Sequence, residues 1–351
     1  MQRTTARKRA RFGSVGFLAA ATALFSSAAQ ADEGGVSFWV PGFFGSLAAT
    51  PQVPGFSWAT IDYHTTVSAG ADVAFARQVT RGRLTANFTG NLSLNLNAYA
   101  DLVMAIPQYV FATPVLGGQA AVALIVPYGR NHVSVSGTLT GALGPFPFTL
   151  SGSAADTATG FGDLIPQASL RWNDGVHNWM TYITGDVPVG LYDASSLANL
   201  GIGHGAIDAG GGYTYFNPQT GHEFSAVLGF TYNLLNQSTQ YQNGVDMHLD
   251  WGWSQFVSKQ VQIGLVGYAY KQISCDSGSG DRVGCFESQV FAAGPQLGYI
   301  FPLGDLQGYV NIKAYKEFSA EHRADGWNAW FTLAISPAPP TASTPKPRIT
   351  K

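Results

Sequence analysis

The chain has 351 residues, 46% of them hydrophobic, 13% aromatic and only 11% charged, with 42 Gly, 18 Pro and two Cys. Soluble globular domains carry about 25% charged residues, yet the mean hydropathy of +0.05 is too low for a bundle of membrane helices. The aromatics exclude a disordered chain, the lack of a Gly period excludes collagen, and two cysteines exclude a disulfide-dense scaffold or a four-cysteine zinc site.

Arg3, Arg7, Lys8, Arg9 and Arg11, an apolar run from Val15 to Phe25, and Ala29-Gln30-Ala31 predict a cleaved Sec signal peptide over 1–31. A membrane anchor fails on length, because a spanning helix needs about 20 apolar residues. The mature chain would carry 14 basic against 21 acidic residues, which argues against nucleic acid as a partner. In residues 32–56, Phe38, Trp39, Phe43 and Phe44 are too apolar to float in periplasmic water. This segment is expected to fold into or beneath the periplasmic mouth of the main domain as a partial plug, the alternative being a flexible leader on the rim.

Gly34 to Ile61 and Leu102 to Gly129 lack charges for long enough to raise the question of a membrane helix. Each is interrupted by prolines (Pro41, Pro51 and Pro54; Pro107, Pro114 and Pro127), which remove donors and clash with the preceding turn. Period two is the dominant pattern instead. Phe224, Ala226, Leu228, Phe230, Tyr232 and Leu234 alternate with Glu223, Ser225, Thr231 and Asn233. Val245, Met247, Leu249, Trp251 and Trp253 alternate with Asp246, His248 and Asp250, and residues 92–98 and 308–315 repeat the pattern. Each such run predicts a strand with one apolar and one polar face.

Turn chemistry decides between a soluble sandwich and a membrane barrel. Short connectors at 116–118, 173–175, 217–221, 257–260 and 302–305 alternate with longer polar ones near 69–91, 131–159, 191–204, 235–243, 273–286 and 319–325. Five short and six long connections give twelve strands with both ends on the short-turn side. The sequence thus predicts an all-β fold, a transmembrane antiparallel β-barrel over 57–337 with short periplasmic turns and longer external loops, apolar faces toward outer-membrane lipid. Segments 160–172, 177–190, 244–256 and 287–301 exceed the roughly 9–11 residues a tilted strand needs to cross. Aromatics at strand ends, among them Trp58, Trp172, Trp179, Tyr192, Trp253, Tyr299, Trp327 and Trp330, fit interfacial girdles. Residues 338–351, with Pro339, Pro340, Pro345 and Pro347, read as a disordered periplasmic tail. They leave the terminal signal read by the barrel-assembly machinery internal to the chain.

The stretches Gly35-Val-Ser-Phe-Trp-Val-Pro-Gly, Thr159-Gly-Phe-Gly-Asp-Leu, Asn217-Pro-Gln-Thr-Gly-His-Glu-Phe-Ser and Tyr241-Gln-Asn-Gly-Val-Asp-Met-His-Leu-Asp-Trp-Gly resemble an exported transporter-like family labelled "MetA-pathway of phenol degradation". The resemblance covers about 34–337. It implies a barrel in a Gram-negative outer membrane that admits small hydrophobic or aromatic compounds, and it brings no catalytic residues to carry over.

Candidate lumenal residues are Glu223, Asp246, His248, Asp250, Tyr309, Asn311, Lys313 and Glu317, because an ionisable residue in the membrane plane must face water or a partner. They would either form a constriction that filters solutes or cross-link neighbouring strands. Asp246, His248 and Asp250 share a face, but alternate side chains stand about 6.6 Å apart along a strand, too far for one metal ion. Cys275 and Cys285 are expected to form a disulfide closing an external loop. Acidic residues beside them match no EF-hand spacing. No metal or cofactor is expected. The rival readings are a barrel-type lipid hydrolase or deacylase and a non-conducting surface protein. The first lacks a Gly-x-Ser-x-Gly elbow and offers only His132 near Ser134 and His222 near Ser225 as a nucleophile–base pair.

Overall fold

The structure, a computed structural model, describes residues 37–339 apart from 82–83, 144–145, 282–284 and 286; only backbone is described over the rest of 71–90 and at 92, 143 and 146. The expected signal peptide and most of the expected tail lie outside the described residues. Among those described, no helix is long and apolar enough to cross a membrane.

The strands are β1 (Gly55–Arg81), β2 (Leu84–Val110), β3 (Gln119–Leu143), β4 (Phe146–Phe161), β5 (Ile165–Asp174), β6 (His177–Asp186), β7 (Ala206–Asn217), β8 (His222–Asn233), β9 (Asp246–Phe256), β10 (Val261–Gln272), β11 (Gln289–Leu303), β12 (Leu306–Glu321) and β13 (Asp325–Pro337). Pairing is antiparallel throughout, and β13 returns to β1 through Trp58↔Ile335 to Ser68↔Asp325. The sheet therefore closes into a twelve-stranded barrel. Closure leaves no unpaired edge inside the hydrocarbon, where unsatisfied backbone groups are costly.

Thirteen segments make twelve staves because β4 and β5 are two pieces of one. Both lie against β3, β5 along Gln119–Ile125 and β4 along Tyr128–Leu143. The expected single strand 160–172 is thus broken at Gly162-Asp163-Leu164. The buried Asp163 accepts hydrogen bonds there from the amides of Gly190 and Ile202, both at 2.7 Å. Those bonds pin the loop after β6 into the notch, so β6 ends at Asp186 rather than reaching 190.

A larger correction concerns 69–91 and 131–159, expected as long loops. Both are strand. β1 and β2 pair continuously from Gly55↔Val110 to Arg81↔Leu84, and β3 and β4 from Tyr128↔Phe161 to Leu143↔Phe146. Their Ser, Thr, Asn and Gly content suggests loop, yet Leu94 and Leu96, and Val133 and Val135, keep the period of two that a pleated ladder rewards. These four strands stand well beyond the rest of the barrel as an open sheet.

Side-chain direction follows the alternation. Phe224, Leu228, Phe230 and Tyr232 are exposed on the outer wall, and Glu223, Ser225, Thr231 and Asn233 are buried within. Four of the short turns carry a glycine at positive φ: Gly117, Gly175, Gly221 and Gly304. In the fifth, Ser258 Oγ accepts from the amides of Gln260 and Val261. Trp58, Trp179, Trp253, Tyr299 and Trp327 are exposed outward as a girdle requires. Trp330 is not among them. It lies at an inward position of β13 and is 1% exposed, held by its own Nε1 donating to Asn328 Oδ1. Tyr192 sits in the loop after β6 and accepts from Asn236 Nδ2, so it too is not a girdle residue.

On the external side Cys275 and Cys285 are joined in a disulfide, their Cα atoms 4.6 Å apart. Next to it Asp276 accepts from Tyr241, from Gly244 N at 2.8 Å and from Gln272 Nε2 at 2.6 Å, tying two loops together. Burial pushes its carboxyl above the ordinary Asp value despite those bonds.

An outward position midway along β8 reports on the lipid. Leu228→Arg should destabilise the folded barrel by about 2–4 kcal/mol, read as a lower urea midpoint in liposomes. An unchanged midpoint would mean that this wall does not face hydrocarbon.

Candidate functional site: a lumen occupied by the N-terminal segment

Twelve strands with inward polar positions would leave carboxylates and an ammonium facing one another across a narrow space. Residues 37–54 fill it. Gln52, near the periplasmic turns, donates its amide to Gln119 Oε1 on β3 at 2.7 Å. Gln108 of β2 donates to the Gln52 side chain. From there the segment rises. Ala49 N donates to Thr214 Oγ1 on β7 at 3.0 Å, Leu47 N to Glu223 Oε1 on β8 at 2.9 Å, and Arg171 Nε of β5 reaches Ala48 O at 3.4 Å. Ser46 Oγ lies 2.6 Å from Ser254 Oγ on β9 and accepts from Gln296 Nε2 on β11 at 2.6 Å.

The tightest grip is on Gly42. Its amide donates to Asp250 Oδ1 at 2.9 Å, and Phe44 N donates to Asp250 Oδ2 at 3.2 Å. From β12, three strands round the barrel, Lys313 Nζ donates to Gly42 O at 2.6 Å while lying 5.0 Å from the centre of the Trp330 ring. One residue thus separates a carboxylate on β9 from an ammonium on β12. Gly42 adopts φ +92°, and a Cβ there would meet the Tyr315 ring at 3.1 Å. Both facts restrict the position to glycine.

Higher still, Trp39 stacks on His248, with ring centroids 3.8 Å apart and planes 12° from parallel. His248 Nε2 lies 3.0 Å from Asp208 Oδ2 and 3.3 Å from the Tyr182 hydroxyl. Thr231 also donates to Asp208. Gly229 makes this convergence possible, since a Cβ there would fall on the Tyr182 hydroxyl and on His248. Phe43 and Phe44 pack edge-on and tilted against Trp39, Trp330 and Tyr182. Phe38 is also buried.

The eight lumenal candidates divide. Asp250, Lys313, Glu223 and His248 touch the segment. Asp246 accepts from Asn233 Nδ2 at 2.8 Å, a tie between β8 and β9. Tyr309 reaches Gln262 at 3.4 Å, and Asn311 donates to Leu297 O. Glu317 accepts from Tyr268 at 2.7 Å and from Gly326 N at 2.8 Å, joining β10, β12 and β13 away from the segment. Sequence reading missed Asp208, Tyr182, Arg171, Thr214 and the Gln52–Gln108–Gln119 group. Their one available signal was inward parity on strands whose alternation is diluted by glycine (Gly210-Gly-Gly on β7) or by hydroxyls.

The external mouth is narrowed by the loop after β6. Asp156 on β4 accepts from the amides of Leu197 at 3.1 Å and Ala198 at 3.2 Å. Those amides and that of Thr157 hold its carboxyl below the ordinary Asp value. A depressed folded-state value means the tie is intact above the ordinary carboxylate range and is lost as the pH falls below it. Protease cleavage within 193–200 should therefore accelerate on acidification in wild type. In Asp156→Asn it should be fast and nearly independent of pH.

Once this geometry is set beside known proteins, the family is clear. The sequence profile described as "Putative MetA-pathway of phenol degradation" matches residues 81–333, and the chain belongs to that family. Among solved structures it resembles the COG4313 outer membrane channel from Pseudomonas putida F1 at 12% identity and a TM-score of 0.55, covering 85% of this chain and 99% of that one. A looser likeness, TM-score 0.41 at 10% identity, is to a FadL homologue of Pseudomonas aeruginosa, covering 89% and 97% of the two chains. No curated protein matches.

The Trp39 stack offers a local test. Trp39→Ala removes the ring that bridges His248, Phe43 and Phe44, a truncation that costs about 3–5 kcal/mol in a packed core. A spin label at residue 40 should then be mobile at room temperature. A spectrum identical to that of wild type would show that the peptide hydrogen bonds alone hold the segment.

Proposed function

We propose that this protein is an outer-membrane channel for passive uptake of small hydrophobic or aromatic solutes, held closed by its own N-terminal segment. It would reach the outer membrane through Sec export and the barrel-assembly machinery, with lipid around its apolar wall. It would need no cofactor: solutes would move down their gradient. One observation carries the reading. Residues 37–54 occupy the lumen through reversible hydrogen bonds and aromatic contacts, so the barrel encloses a space as wide as a polypeptide whose occupant can leave.

The substrate class is supported by what that occupant presents. Trp39, Phe43 and Phe44 sit in slots built from Tyr182, His248 and Trp330, and slots that fit these rings suit other aromatic molecules of similar size. In the open state Glu223, Asp250 and Lys313 would remain as the charged constriction. The hydrolase reading finds no assembled pair to favour it: His132 Nδ1 lies 2.8 Å from Thr157 Oγ1 and its ring packs near Tyr99.

Deleting 37–54 should convert rare, small openings in a planar bilayer into a steady and several-fold larger conductance. An identical conductance with and without the segment would sink the plug. Separately, a strain lacking the protein should grow more slowly on aromatic carbon sources than on acetate. Equal growth defects, or none, would remove the substrate class.

A further inference from the structure

The strands that project beyond the barrel turn their apolar side the wrong way for lipid. On β2 the outward positions climb from Tyr109 and Val103 to Asp101, and then to Asn97 and Asn95. At the level of Asp101 the outer wall carries a charged row. His64 Nδ1 lies 2.6 Å from Asp101 Oδ1, and Arg130 is paired with Asp101 on β3, its guanidinium 5.9 Å from the centre of the Tyr99 ring. Such a row on a lipid-facing surface is strongly disfavoured within hydrocarbon. Together with the exposed Asp62 one step below, it places this level at or beyond the outer limit of the bilayer on β1–β3, and the sheet above it stands in water.

Above that row polarity is inverted. Outward positions are Asn95, Asn97, Ser134 and Ser136. Inward ones are Leu94, Leu96, Val133, Val135, Leu139 and Leu150, paired across strands as Leu96↔Val135 and Leu139↔Leu150. They are half-buried or, for Leu150, 47% exposed. The loop after β6 reaches only the lower part of this face, where Asn131 Nδ2 donates to Asn199 O at 2.9 Å and Asp156 accepts from the amides of Leu197 and Ala198. A sheet standing in water has no need of such a face unless something covers it.

Parity says what that something is. The inward face of β2 runs without a polar interruption through Leu94, Leu96, Ala98, Leu102, Met104 and Ile106, about 40 Å of strand. Its lower end lies inside the lumen, where Met104 and Ile106 share a cluster with Ile61, Ile125 and Trp330, and Val40 and Phe43 of the N-terminal segment pack against that cluster. It stops at Gln108, the residue bonded to Gln52. We propose that the inward face of the projecting β1–β4 sheet is a capture surface for small apolar solutes, continuous with an apolar stripe that leads them along β2 to the plug. This rests on the channel reading above and adds where solutes first bind. A polar opposite face argues against a lipid occupant, and the continuity with the lumen argues for one in transit.

The test uses full-length protein in cells lacking their own copy, with 1-N-phenylnaphthylamine as the apolar probe. Leu96→Asn with Val135→Asn should cut initial uptake about tenfold and raise the half-saturating dye concentration. Asn97→Ala with Ser136→Ala on the opposite face should retain it. Heat-modifiable gel migration shows that the barrels are assembled, and Leu150→Asn at the exposed sheet edge should lower uptake in the same direction if the first pair fails to fold. Uptake indifferent to the inward substitutions overturns the capture surface and leaves the channel standing. Wild-type uptake no greater than that of cells without the protein fails the channel reading, and the capture surface with it. A dimer in wild type that becomes a monomer in the inward variant would assign the face to a second copy and likewise overturn the proposal.

Discussion

The structure depends on how carboxylates are satisfied in a space too narrow for bulk water. Closing the sheet to satisfy the backbone in hydrocarbon sends every second side chain inward. In β8, β9 and β12 those positions hold Glu223, Asp250 and Lys313, each at most 5% exposed. Charges so placed need partners, and an unpaired buried charge is strongly destabilising. The partners come from main chain rather than from opposite charges: amides of Gly42, Phe44 and Leu47 for the acids, the carbonyl of Gly42 for the ammonium. Peptide groups have both polarities at fixed spacing, so one short segment satisfies both signs without carrying a charge itself.

That arrangement explains the composition of the segment. Between Ser37 and Pro54 it carries no ionisable side chain, since any charge would have to be buried against Asp250 or Lys313. Glycines fall where the backbone approaches closest. Gly42 lies under Tyr315, and Gly45 lies so near Lys313 that a Cβ would sit 3.5 Å from its Nζ. The rings fall where the wall offers rings. Pro51 and Pro54 stiffen the exit toward β1, so the segment leaves the mouth in one direction.

Much of this is legible in the sequence. Alternation on β8 and β9 and glycine-bearing short turns give the number of barrel strands and the direction of their faces, because period two is a local property of the backbone. Apolar Phe38, Trp39, Phe43 and Phe44 point to a segment that avoids water. What one sequence does not encode locally is which inward residue meets which. Asp208 meets His248 only across the intervening β8, and Lys313 meets Gly42 only when the segment enters the closed barrel, contacts that span 40 and 271 residues of chain. The break at Gly162-Asp163-Leu164 is hidden because it depends on a partner loop 27 residues away. The projecting strands mislead for a different reason. Ser, Thr, Gly and Asn are common in loops, but in these strands they form the solvated face of a ladder whose other face keeps Leu and Val in step.

The hydrogen bonds of residues 37–54 bear on how the proposed channel would open. Hydrogen bonds to charged groups contribute roughly 1.5–3 kcal/mol each and neutral ones about 1. With contacts to β2, β3, β5, β7, β8, β9, β11 and β12, spontaneous complete release of 37–54 would be rare. An apolar solute makes none of those hydrogen bonds, so it cannot compete for the peptide grip on Asp250 or Lys313. It can compete only for the rings and for the apolar cluster, Met104, Ile106 and Trp330 among its members, against which Val40 and Phe43 pack. A ligand shifts an equilibrium only by its differential affinity for the two states. Solute-driven opening therefore has to act at the upper, aromatic end of the segment, with the lower anchors at Gln52 and Glu223 still in place. On that argument the open state of the proposed channel is a segment displaced above Gly42, at Phe38–Pro41, with the peptide grip on Asp250 and Lys313 and the anchors below it intact, and solutes arriving along the inner face of β2 would meet it at the end where they can displace it.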